Sequence, residues 1–135
     1  MPEHSKEVKQ LKRNVGPKEF LQNCKAFRDS IQEILVSIGF HVDSSKPQGL
    51  IYSGRDKDYK IIVRVKHRTK KNLGFDDPER LKSMIDTYYS GHEGFIVTDC
   101  RFSSNCEKVA KTMMINLCKE GMFKELVLNR FNARN

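Results

Sequence analysis

The chain has no tryptophan, four prolines, four cysteines and four histidines in 135 residues. Cys24, Cys100, Cys106 and Cys118 include no C-x-x-C pair, which removes the usual zinc-ribbon and thioredoxin-like patterns. They read as free thiols, with Cys24 and Cys106 on the apolar stripes of expected helices and Cys118 at the end of an expected strand. His4, His41, His67 and His92 show no spacing suited to a shared metal, and no metal or other cofactor is implied. No apolar run reaches the roughly 18 residues of a membrane-spanning helix, and the N-terminus lacks the apolar core of a signal peptide. A Gly-rich phosphate loop, a nucleophile elbow and an H-E-x-x-H pair are all missing, so the enzyme classes built on them lose support. An intracellular protein, nuclear or cytoplasmic, is the expectation.

Basic charge is what the chain has in excess. It carries 25 Lys and Arg against 17 Asp and Glu, a net charge of +8. The excess is concentrated. Between Arg55 and Lys71, eight basic residues (55, 57, 60, 64, 66, 68, 70 and 71) face only Asp56 and Asp58, so this stretch alone supplies +6. Such a concentration suits a polyanion and points to nucleic acid. With 38% apolar and 31% charged residues the chain is expected to be ordered rather than disordered. Residues 1–16 read as a polar basic arm and 17–135 as one domain, since the length supports a single core.

Periodicity supplies the elements. Phe20, Cys24, Phe27, Ile31, Ile34, Leu35 and Ile38 recur at three and four residues, predicting a helix that starts at Pro17 and is closed by Gly39. Strands are expected from Phe40 to Val42, from Gly49 to Ser53 and from Tyr59 to Lys66, the last two joined around Gly54–Asp58. In the strand Tyr59–Lys66, period two sends Tyr59, Ile61, Val63 and Val65 to one face and Lys60, Ile62, Arg64 and Lys66 to the other. Asp77 reads as the cap and Pro78 as the first residue of a helix with Leu81, Met84, Ile85, Tyr88 and Tyr89 on its apolar stripe. Gly94–Asp99 reads as a buried strand, and Ser104 with Glu107 as the capping box of a helix through Met113. A strand at Ile115–Cys118 and a helix through Met122, Phe123, Leu126, Val127 and Phe131 complete the order. The loop from Lys70 to Asp77 is expected to be a pliable insertion. Strands alternating with helices in this way predict an α/β fold, a mixed sheet of about five strands flanked by helices.

Five short motifs recur in one known order: Phe27-Arg28-Asp29-Ser30-Ile31-Gln32-Glu33-Ile34-Leu35, Gly39-Phe40, Gly49-Leu50-Ile51, Arg64-Val65-Lys66 and Gly94-Phe95-Ile96-Val97-Thr98. Together they resemble the restriction endonuclease-like fold, closest to its Mrr-type domain, over roughly residues 17 to 131. In that family the resemblance implies a glutamate in the first helix, an aspartate in a Gly-Ile-Asp turn and a Gln/Glu-x-Lys strand that hold a metal and activate water. Placed on this chain, the glutamate position falls on Arg28, the aspartate falls within the acid-free Gln48–Ile51, and the Gln/Glu falls on Arg64. Lys66 alone remains. The resemblance therefore implies a degenerate site without metal-dependent catalysis, in a cleft shared by Arg28, Arg64 and Lys66.

The expected function is a catalytically inactive nuclease fold that binds nucleic acid through Arg28, Arg55, Lys57, Arg64, Lys66, His67, Arg68, Lys70 and Lys71. Two alternatives stand beside it. One is a structural or assembly subunit of a larger complex, with a protein partner or a second copy bound by the old cleft or the helix faces. The other is an active metal-dependent nuclease with relocated carboxylates, for which Asp43, Asp58 and Lys66 are the only set in view.

Overall fold

The computed structural model describes residues 16–43, 50–54, 59–67 and 73–134. The first helix, α1 (Pro17–Ser37), has Pro17 where a missing N–H costs nothing, and it buries Phe27, Ile31 and Leu35. It stops where Gly39 takes a φ of 98°, a left-handed conformation that a side chain would strain. The chain then enters β1 (His41–Asp43), β2 (Leu50–Gly54) and β3 (Lys60–Lys66). After Leu73 come α2 (Asp76–Tyr88), β4 (Glu93–Thr98), α3 (Ser104–Met113), β5 (Asn116–Lys119) and α4 (Glu120–Arg134).

The five strands lie in sequence order, β1 to β5. β1, β2 and β3 pair antiparallel, whereas β3, β4 and β5 pair parallel through the α2 and α3 crossovers. The register sets Arg64 between Leu50 of β2 and Ile96 of β4, and Lys66 beside Thr98. Strand alternation divides the core into two layers. Tyr59, Ile61, Val63, Val65, Phe95 and Val97 face α1 and α4 with Phe27, Ile31, Leu35, Phe123 and Val127. Ile62 and Ile96 face α2 and α3, with Leu81, Ile85, Cys106 and Ala110. Both faces of β3 and β4 are therefore covered, as parallel strands require.

Polar ties fix the helices to the sheet. Arg130 Nε of α4 donates to Glu93 Oε1 at 2.5 Å and Asn116 Nδ2 donates to the same oxygen at 3.0 Å, so α4 is anchored where β4 begins. Ser30 Oγ of α1 donates to Glu120 Oε1 of α4 at 2.7 Å.

Two helix caps differ from expectation. The cap of α3 is Ser103 rather than Ser104, since Ser103 Oγ accepts from Cys106 N at 3.0 Å. Two successive serines offer the same chemistry, and the turn after Phe102 selects the first. Of the expected insertion from Lys70 to Asp77, residues 70–72 lie outside the described residues, whereas Leu73 is fully buried, accepts from Ser103 N and donates to Arg101 O. Asp77 is not a cap: α2 starts at Asp76 after Phe75, and Asp77 lies buried inside the first turn. Its role follows from what it faces. Of the expected stripe on α2, Leu81 and Ile85 are buried, but Tyr88 is 77% exposed.

All four cysteines are free. Burial pushes the Cys118 thiol up to about 12 and Cys106 to about 11, which keeps both as inert neutral groups in the core. No helix among the described residues is long and apolar enough to cross a membrane.

Candidate nucleic-acid interface

The end of β3 places two basic side chains in succession on opposite faces of the sheet. Lys66, in line with Ile62 and Arg64, turns to the α2 side. His67 continues the line of Val63 and Val65 toward α1. The backbone there is fixed by Thr98, a fully buried hydroxyl on β4 that donates to Lys66 O at 2.7 Å. Thr98 Oγ1 also accepts from Cys100 N at 3.2 Å, holding the turn that follows β4.

On the α2 side, Lys66 Nζ lies 3.5 Å from Asp77 Oδ1, with the lysine side chain 20% exposed and the aspartate 4%. On the α1 side, His67 Nδ1 meets Asp99 Oδ2 at 2.5 Å. Phe20 and Phe27 of α1 enclose the imidazole, their ring centroids 5.7 and 6.1 Å away. Its Nε2 is shielded from solvent and bonds to no described residue. Each base at this strand end thus has an acid partner, Asp77 from α2 and Asp99 from just after β4. Cys24 sits near the same corner: burial chiefly pushes its thiol up, the Asp99 carboxylate adds to this, and Arg28 opposes it.

The residues of the expected cleft belong to elements that pack on two faces of the sheet. Arg28 belongs to α1, which covers the face carrying Val63 and Val65, while Lys66 reaches Asp77 across the other face. A strand motif and a helix motif can be matched in sequence without revealing which face of the sheet the helix crosses. The helix that carries Arg28 and the aspartate that meets Lys66 therefore pack on opposite faces of the sheet. Arg64 shares the Lys66 face and is half-buried. Arg55, Lys57, Arg68, Lys70 and Lys71 lie outside the described residues, as do Gln48 and Gly49.

Of the set Asp43, Asp58 and Lys66, Asp43 lies on β1. Asp43 pairs with Tyr52, which pairs with Ile62. Two strand spacings and four residues along β3 therefore separate Asp43 from Lys66, about 16 Å. Asp58 lies outside the described residues.

A divalent ion of the kind used by metal-dependent nucleases needs several oxygen ligands within about 2–2.6 Å. The side chains at the family's ligand positions do not supply them, because 28 and 64 are arginines and the sequence from Gln48 to Ile51 contains no acid. Asp77 adds one carboxylate, already engaged by Lys66. The described residues contain no group of three or more His, Cys, Asp or Glu arranged to hold a metal. Among the described residues, the donor set does not fit such an ion.

Asp77 and Asp99 were not foreseen as members of the site. The sequence signal for Asp77 was present but ambiguous, since Asp-Pro-Glu marks a helix start whether its first acid caps the helix or turns back on the sheet. A separate groove of ≈ 680 Å³ lies where β4 begins, lined by residues including His92, Glu93, Met114 and Arg130. It is at the opposite end of the parallel strands from Lys66.

The fold has a counterpart among known proteins. The crystal structure of a protein of unknown function, AF1548, is similar with a TM-score of 0.57 at 15% identity, over 69% of this chain and 56% of that one. The chain thus spans little more than half of that structure, and the likeness is one of fold. The apo structure of EndoMS has a TM-score of 0.48 and 16% identity, covering 69% of this chain and 45% of that one. No curated protein matches. A family model described as a restriction endonuclease, Mrr_cat, matches residues 21–127. Running from the first turns of α1 into α4, that match includes every strand of the sheet and the Arg64-Val65-Lys66 motif, and the chain belongs to the Mrr_cat restriction endonuclease family.

Proposed function

We propose that this chain is a non-cleaving member of its family, a nuclease-fold domain that binds the phosphate backbone of nucleic acid through the basic stretch around β3. The observation that carries the reading is Arg64 on the same strand face as Lys66. A guanidinium two residues from the lysine repels a divalent cation and attracts a phosphate. Arg28, which makes no ion pair among the described residues, adds a second cationic group beside the strand end from the α1 side. The +6 carried between Arg55 and Lys71 supplies the wider field.

Binding of this kind releases counterions, so its affinity falls linearly with salt on logarithmic axes. Titrating the protein against labelled duplex and single-stranded DNA and RNA at two salt concentrations is expected to show that steep fall. It should be largely independent of base sequence, because backbone contacts position a complex without reading it. No binding at low salt, with a protein partner captured in a salt-insensitive complex instead, would replace this reading by that of an assembly module.

A further inference from the structure

We propose that Asp77 withholds Lys66 from nucleic acid, so that the lysine of the family motif engages a phosphate only when the Asp77 charge is removed. This rests on the nucleic-acid reading above and concerns the regulation of that same site.

Of the three acids in the first turn of α2, Asp76 is exposed and lies 3.6 Å from Arg80, and Glu79 is exposed. Asp77 alone is buried, and its carboxylate turns back to the sheet to meet Lys66 at 3.5 Å. Its field also reaches Cys106 of α3, where it helps to raise a thiol already raised by burial. The carboxylate therefore sits between β3 and α3, beside a layer formed by Leu81, Ile96 and Cys106. A charge in such a place depends on its counterion, and taking the counterion away costs more than one exposed phosphate interaction returns. Lys66 is also unable to move as part of a loosened strand end, because Thr98 Oγ1 holds its carbonyl at 2.7 Å. With arginine at 64, the counter-charge for Lys66 comes from α2 rather than from its own strand.

The test is a double-mutant cycle on the full chain, using fluorescence anisotropy of a labelled DNA duplex and a labelled single strand across a salt series. Asp77→Asn preserves shape and releases the ammonium. It is expected to steepen the log affinity against log salt slope by about 0.9 on duplex and about 0.7 on single strands. Combining it with Lys66→Gln should remove that gain, and the double variant should share the wild-type slope. Lys66→Gln alone strands a buried carboxylate and is compared only if circular dichroism shows it folded; it too should keep the wild-type slope. The proposal is overturned if folded Asp77→Asn binds with the wild-type slope, or if the double variant has a slope shallower than wild type by about 0.9 on duplex. Binding by wild type without any gain in Asp77→Asn defeats this proposal alone. Absence of binding in every variant at low salt defeats the nucleic-acid reading with it.

Discussion

Replacing Arg64, Lys66, Arg68, Lys70 and Lys71 together by neutral residues is expected to flatten the salt dependence of nucleic-acid binding more than any other change on the surface. Each phosphate that no longer meets a basic side chain takes about 0.9 from the slope on duplex DNA and about 0.7 on single strands. If Asp77 holds Lys66 back, four phosphates are left unneutralised, a change of about 3.6 on duplex, or roughly a hundredfold in affinity across a fourfold change of salt. The effect should be similar for unrelated sequences, since no base-edge interaction is removed. A folded five-fold variant that keeps the wild-type slope would show that these side chains do not meet the phosphates.

Truncating the core beneath the sheet is expected to have the largest effect on stability. Phe95 on β4 is fully buried, and its ring meets Phe123 of α4 edge-on, with centroids 6.1 Å apart at 86°. Phe95→Ala should cost about 3–5 kcal/mol, a large part of the roughly 5–15 kcal/mol typical of a domain. On the other face, a Cβ on Gly94 would meet Ile85 Cδ1 at 2.7 Å, Ile115 Cδ1 at 2.8 Å and Leu81 Cδ2 at 3.3 Å. These are the far ends of flexible side chains and can shift, so Gly94→Ala should cost about 1–3 kcal/mol. Urea unfolding of the two variants checks both values and their order. A Phe95→Ala destabilisation smaller than that of Gly94→Ala would mean that the α4 side is not the tighter layer.

The fold was legible wherever a local pattern has one structural solution. The three-and-four spacing from Phe27 to Leu35 describes a helix with one buried stripe, and Gly39 with φ 98° ends it. Period two in Tyr59–Lys66 assigned Tyr59, Ile61, Val63 and Val65 correctly to a common layer. It did not reveal that the opposite face is also core at Ile62, because the covering helices come later in the chain. The site was harder to read because it depends on the approach of distant segments. Asp77 looks like a helix cap in sequence, but Lys66, eleven residues earlier on a strand, gives its carboxylate a stronger partner. The pairing of His67 with Asp99 likewise requires β3 and β4 to end side by side, which only their parallel register establishes. Arg28 and Lys66 match one family site in sequence, yet sequence distance carries no information about the two faces of a sheet.

The most direct test of the account is prolonged incubation of pure protein with labelled duplex and single-stranded DNA and RNA, with Mg²⁺ or Mn²⁺ and at low salt. The account predicts a salt-sensitive complex on native gels and full-length nucleic acid on denaturing gels. Cleavage by the wild type that disappears in Lys66→Ala would contradict it, because it would show that this strand end works as a metal-dependent nuclease despite Arg28 and Arg64.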